Sequence, residues 1–212
     1  MQHHAWKTDG SRSVTRRAAQ AGLSHLVRAE VRDYRDLAGL GAFDAVASVG
    51  MFEHVGRANL AGYFRAAYAA VRPGGRFLNH GIAQGRPRAR LGPDLRPTTS
   101  RFVGRFVFPD GELVAVDEAL RIARQATGFE PLDVQFLRPH YALTLDAWVT
   151  RLEANWQAAV AAAGPEVART WRLYMSAARL GFETGELDVA QLLLARPSKD
   201  GAARRPLRPW WN

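Results

Sequence analysis

Residues 43–82 read FDAVASVGMFEHVGRANLAGYFRAAYAAVRPGGRFLNHGI, and the order of apolar runs and turns in this stretch decides the fold. The first run, Phe43–Val49, lies between Gly41 and Gly50 and reads as a short buried strand. Residues 51–56 follow as a turn carrying Glu53 and His54. Asn59 is placed to cap a helix running to about residue 71, with Leu60, Phe64, Ala67, Tyr68 and Val71 along one face. Pro73, Gly74 and Gly75 stop that helix, and residues 76–80 read as a second short strand leading into Gly81 and Ile82. A strand, a helix and a strand with short connections predict a parallel βαβ unit with a right-handed crossover, and so an α/β fold. Ligands of such sheets collect beyond the carboxyl ends of the strands. Glu53 follows the first strand and His80 ends the second, so the topology predicts both at one rim.

Working outward, residues 1–12 lack periodicity and read as an unstructured N-terminal segment. His3 and His4 adjoin on this polar terminus, where an adjacent pair is more often disordered than metal-bound, and no metal site is assigned. Residues 13–22 predict a short helix, with Ser13 as cap and Gly22 as stop. Residues 26–31 predict a strand that ends at the charged turn RDYRD, residues 32–36. Downstream, residues 84–100 are rich in Arg, Pro and Gly and read as a long loop, of the kind used as a lid or binding segment. Helices are expected at 113–127, at 145–163 and at 166–183, and strands at 130–137 and 187–195. The helix at 145–163 carries Trp148, Leu152, Trp156 and Val160 at four-residue spacing, a stripe that reads as core or lid packing. The domain is expected to occupy 13–197, followed by a basic tail, 198–212, that ends in Trp210 and Trp211.

With 212 residues the chain is long enough for one domain with a substantial core. It has no Cys, which excludes disulfides, thiolate metal sites and a Cys nucleophile and is compatible with the cytosol. No apolar run approaches the ~20 residues of a membrane span. The net charge is +9, and Lys occurs only at positions 7 and 199, so the basic surface is almost entirely Arg. Scattered Arg of this kind reads first as a solvated surface and second as a partner for anionic lipid head groups; no nucleic-acid-binding motif accompanies it.

The blocks FDAVASVGMFEHVG, VRPGG and FLNHGI together resemble the core of the cyclopropane-fatty-acyl-phospholipid synthases. The similarity continues through FVFPDG at 106–111, HYALTL at 140–145 and WRLYM at 171–175. It implies a class I methyltransferase with a Rossmann-like sheet and added helices on the lipid-binding side. The cofactor it implies is S-adenosylmethionine, the partner a phospholipid acyl chain met at the membrane surface, and the location the cytoplasm with peripheral contact at the inner face of the membrane. By the same resemblance Asp33 and Tyr34 address the adenine, and residues around Gly50 line the cofactor pocket.

The resemblance also implies chemistry. A methyl group is added to a cis double bond, and a bound bicarbonate then removes a proton from the new methyl so that the ring closes. Glu53, His80, Tyr141 and the backbone amide of Ile82 match the family's bicarbonate-holding positions, whereas the family's Cys has no counterpart. Converging donors are what a buried anion requires. Each residue alone also fits a structural role. The family opens with a strand, a Gly-rich loop and an acid-ended second strand, none of which is found here. The sequence therefore predicts an N-terminally truncated sheet, whether from a shortened or frameshifted gene, a misplaced start or one half of a split protein. Two other readings stay open: a methyltransferase for a small polar acceptor, and a non-enzymatic remnant or interaction protein.

Overall fold

The computed structural model describes residues 3–40, 42–86, 98–109 and 111–203. In chain order the elements are α1 (His3–Gln20), β1 (Phe43–Val49), α2 (Leu60–Ala70), β2 (Val71–Gln84), α3 (Thr98–Phe106), α4 (Val116–Ala126), β3 (Glu130–Phe136), α5 (Arg138–Ala154), α6 (Trp156–Ala163), α7 (Pro165–Thr184) and β4 (Leu187–Ala195). The strands form one sheet in the order β1-β2-β4-β3. β1 and β2 run parallel, as the βαβ pattern predicts, and β4 runs antiparallel to both β2 and β3.

Alternation along β2 and β4 builds two cores, one on each face of the sheet. Phe77, Leu192 and Leu194 point to the side covered by α2 and α4, where Leu60, Tyr63, Phe64, Ala123 and Phe129 close the first cluster. Ile82 and Val189 point to the other side and meet Leu145 of α5 and Met175 and Phe182 of α7. Full burial of a ring such as Phe64 is worth roughly 1.5–3 kcal/mol, so these two clusters, rather than helix propensity, hold the layers together.

Several expectations are corrected. The first helix begins at His3 rather than Ser13, because residues 3–12 contain no Pro and each added helical residue gains a hydrogen bond once the helix is nucleated. Residues 1–2 lie outside the described residues. The strand expected at 26–31 does not form: Leu26 and Val27 close a turn onto Leu23, and Leu26 is 71% exposed. Alternating side chains make a strand only where a neighbour accepts the ladder, and no described residue pairs with this segment. β2 is longer than expected, Val71 to Gln84, because its far half is laddered residue by residue against β4. Pro73-Gly74-Gly75 is an irregularity within β2, held by Gly74 N–H to Arg196 O and Arg196 N–H to Gly75 O.

Asn59 sits at the helix start but donates its side-chain amide to Val55 O at 2.9 Å and makes no cap bond. The helix expected at 145–163 is two helices, broken at Asn155, whose side chain takes up the Arg151 carbonyl, and the first of them starts early, at Arg138. Tyr141 is therefore on a helix. The loop expected at 84–100 ends early, at α3, whose residues 98–100 fall within it; Phe102 and Phe106 give this helix a one-turn aromatic pair, centroids 5.5 Å apart. The remainder of the expected loop (87–97), Asp110 of the FVFPDG block and the tail from 204, including Trp210 and Trp211, lie outside the described residues.

Candidate active site

Parallel pairing dictates where the first donor appears. The carbonyl of His80 accepts Gly50 N–H at 3.0 Å, so the backbone groups of His80, and those of Ile82 two residues on, face the β1 side. β1 ends at Val49, opposite His80. Ile82 N–H thus projects past the end of β1, where the short helical turn Phe52–His54 delivers Glu53. Ile82 N–H donates to Glu53 Oε1 over 3.4 Å, a long and weak bond. Gly50, with φ of +65°, makes the turn out of β1 that allows this.

Glu53 is only 8% exposed, and its Oε2 has no hydrogen-bond partner among the described residues. A buried acceptor without a donor costs about 1–3 kcal/mol, more when charged, so this oxygen is suited to a donor brought by a ligand. The backbone that carries this carboxylate is held from behind. Glu112 N–H donates to Glu53 O at 2.9 Å, while Glu112 Oε2 accepts Arg57 N–H at 2.7 Å. Arg57 in turn pairs with Glu118 of α4. The turn bearing Glu53 is in this way tied to the segment entering α4.

Two phenols share this environment. Burial pushes the Tyr141 hydroxyl upward, and the negative charge of Glu53 adds to it. Tyr174 is pushed up to about 12, first by burial, then by Tyr141 and Glu53. Both phenols therefore stay protonated at neutral pH and remain hydrogen-bond donors. Aromatic rings surround them: Tyr141 meets Phe182 edge-on at 4.9 Å and Trp148 at 6.1 Å, and Tyr174 meets Phe108 at 5.5 Å and Trp171 at 5.6 Å. Phe106 of the FVFPDG block stays outside this aromatic group: it is exposed and pairs with Phe102, under the Arg105 guanidinium.

His80 projects from the face that carries Ile82 and Val189, and its Nδ1 lies 3.3 Å from Gln191 Nε2. On the other face, Tyr63 donates to the buried Asn79 Oδ1 at 2.5 Å, and burial raises the Tyr63 hydroxyl as well. Tyr174, Gln191 and Glu112 were not singled out by sequence reasoning. Tyr174 sits in an aromatic stripe that reads as packing, and Glu112 and Gln191 act across strand and loop contacts that one sequence does not display.

The two residues matched to adenine differ in their surroundings. Asp33 caps the turn Tyr34–Gly39 and accepts from Arg35 N–H at 2.9 Å and from the Arg35 guanidinium at 2.9 and 2.6 Å. Tyr34 packs edge-on against Tyr63 at 5.7 Å. It lines a cavity of about 290 Å³ shared with Leu37, Val46, Ser48 and Met51, at the open side of β1. No group of His, Asp and Glu among the described residues is placed to hold a metal ion, and no helix among them is long and apolar enough to cross a membrane.

Known proteins are similar to this chain in sequence and fold. The chain is 41% identical to a probable fatty acid methyltransferase of Pseudomonas putida over 87% of this chain and 46% of that one. It is 40% identical to a probable fatty acid methyltransferase of Mycobacterium tuberculosis over 90% of this chain and 43% of that one. It thus spans about half the length of these curated relatives. Among solved structures, the mycolic acid cyclopropane synthase CmaA1 complexed with SAH and CTAB superposes with a TM-score of 0.75 at 26% identity, over 86% of this chain and 66% of that one. The cyclopropane synthase MmaA2 from Mycobacterium tuberculosis gives 0.72 at 26% identity, over 83% and 66%. These likenesses show an α/β fold of the class I S-adenosylmethionine methyltransferase type. With residues 8–192 matched by the family described as mycolic acid cyclopropane synthetase, the chain belongs to that family.

Proposed function

We propose that this chain supplies the acceptor side of an S-adenosylmethionine-dependent methyltransferase that acts on a cis double bond of a phospholipid acyl chain. The observation that carries the reading is the orphaned, buried Oε2 of Glu53 beside Ile82 N–H and two phenols kept protonated. That donor and acceptor set fits bicarbonate, whose hydroxyl would give Glu53 Oε2 the donor it lacks and whose oxygens would accept from Ile82 N–H, Tyr141 and His80. When bound, bicarbonate supplies the base for the proton lost as the ring closes, and S-adenosylmethionine supplies the methyl group.

The chain's own groups have defined tasks in this reading. Glu53 accepts a hydrogen bond and raises the basicity of what it holds. Tyr141 and His80 donate and orient. The rings of Tyr141, Trp148, Tyr174 and Phe108 exclude water and face positive charge developing on the acyl chain, a favourable pairing for aromatic faces. Tyr34 and the turn at Gly50 border the adenine side, although the Asp33 carboxylate is occupied by Arg35. The fatty acid methyltransferase relatives support an acyl-chain acceptor.

The test is a product assay with S-adenosylmethionine, bicarbonate and vesicles of an unsaturated phospholipid, read by mass spectrometry of the released acyl chains. Gain of one methylene, lost in Glu53→Gln, is the expected result. Methyl transfer to small polar acceptors, with the lipid untouched, would overturn the reading.

A further inference from the structure

We propose that Gln191 is a positioning residue that fixes the tautomer of His80, so that the imidazole keeps its hydrogen on Nε2 and stays a donor there. The inference rests on the anion-binding reading above. β2 and β4 pair in antiparallel register with His80 directly opposite Gln191. Side chains of directly opposed residues leave the sheet on the same face and sit within reach of each other. The amide nitrogen of Gln191 lies 3.3 Å from His80 Nδ1.

The neighbouring pairs on that face are Ile82 with Val189 and Leu78 with Leu193, all aliphatic. Among these register neighbours, Gln191 alone can exchange a hydrogen bond with the ring. With the amide nitrogen as the group nearest Nδ1, the amide donates and Nδ1 carries no proton, which puts the single ring hydrogen of the neutral imidazole on Nε2. A histidine free of such a partner exchanges between tautomers and presents a donor only part of the time. Gln191 keeps His80 a donor. The arrangement is the sheet counterpart of the outer partners that orient metal-binding histidines. The register of β4 on β2 thereby reaches into the chemistry: a slip of one residue would place Ala190 or Leu192 on the other face and leave the ring without a partner.

Long-range nitrogen–proton correlation spectra of the imidazoles provide the test. His80 is assigned by loss of its signals in His80→Asn. The expected result is the Nε2–H form in the unaltered chain. In Gln191→Glu the carboxylate demands a donor, and the hydrogen should move to Nδ1. In Gln191→Met, similar in shape but unable to donate, both tautomers should appear. The two variants guard against one of them failing to fold. An Nδ1–H form in the unaltered chain, or an unchanged Nε2–H form in either folded variant, overturns the proposal. Bicarbonate titration followed on the same signals separates it from the reading it rests on. If Gln191 controls the tautomer but bicarbonate leaves His80 unmoved, the anion site fails and the tautomer assignment stands. If both hold, Gln191→Met should weaken bicarbonate binding roughly ten-fold or more, the loss of one hydrogen bond to a charged group.

Discussion

Replacing Gly81 by Ala tests the Glu53 geometry directly. Gly81 lies between His80 and Ile82 on β2, and its φ is outside the left-handed region, so alanine meets no backbone strain there. The added methyl, however, would fall 2.8 Å from Glu53 Oε2 and 3.3 Å from Phe52 Cβ. Phe52 is fully packed in the first core cluster and cannot retreat, so the carboxylate must. Overpacking of this kind costs about 1–3 kcal/mol. Against it stands a gain of about 0.4–1 kcal/mol, because alanine restricts the unfolded chain. The steric loss wins, and the expected net destabilisation is about 1–2 kcal/mol in urea unfolding. The cause can be isolated with a double-mutant cycle. Glu53→Ala removes the clashing oxygen, so Gly81→Ala should cost little in that background, a coupling of about 1–2 kcal/mol. Displacing the charge should also lower the titration of Tyr141 and Tyr174, since Glu53 contributes to raising both. A cost for Gly81→Ala that is the same with and without Glu53 would refute the placement of the carboxylate against β2.

Other outcomes follow from the same structure. Tyr174 should ionise only toward pH 12, and Tyr174→Phe should remove this late component from the phenolate absorbance. Because the folded value lies above the ordinary tyrosine value of about 10, the associated stability is complete below that pH and is lost as pH rises through about 12; the reverse trend would contradict burial as the cause. Phe64→Ala should cost about 3–5 kcal/mol, because the ring is fully buried between Phe52, Tyr63 and Phe77; a cost below 1 kcal/mol would show that the first cluster is not the main core. Calorimetry with S-adenosylmethionine should show weak binding to the 212-residue chain, so that turnover in the product assay needs the cofactor in large excess, since the described residues offer an adenine border but no Gly-rich loop or free acidic partner for the ribose. A micromolar dissociation constant would show that other residues hold the cofactor.

How much could be read in advance followed the range of the forces involved. The βαβ unit was legible because its strand and helix signals are local: Phe43–Val49 and the Leu60–Phe64–Ala67 stripe each lie within a few residues, although the helix ends at Ala70, ahead of the Pro73-Gly74-Gly75 stop, which falls inside β2. The aromatic helix at 165–184 was legible for the same reason. Residues 26–31 were misread because alternation says nothing about whether a neighbouring strand exists to accept the hydrogen bonds. The break at Asn155 was missed because Trp148, Leu152 and Trp156 keep their spacing across it, while the local side-chain bond to Arg151 O that helps break the helix leaves no periodic trace. At the site, strand topology put Glu53 and His80 at one rim, while Ile82 and Tyr141 came from motif resemblance alone. Their surroundings came only from three dimensions, since the Glu112 bond to Glu53 spans a loop and Gln191 reaches His80 through strand register.

The single-sided pairing of β1 has a kinetic consequence for its main-chain protons. In a parallel ladder, alternate residues direct both N–H and C=O to one side. Every second amide of β1 is therefore locked to β2, while those between face the side on which no described residue pairs. Val49, 68% exposed, shows how open the end of the strand is. Deuterium uptake along Phe43–Val49 should accordingly alternate fast and slow with a period of two, whereas β2 and β4, bonded on both sides, should exchange uniformly and last. The rhythm of isotope uptake along seven residues would thus report, amide by amide, whether another polypeptide has taken its place beside this strand.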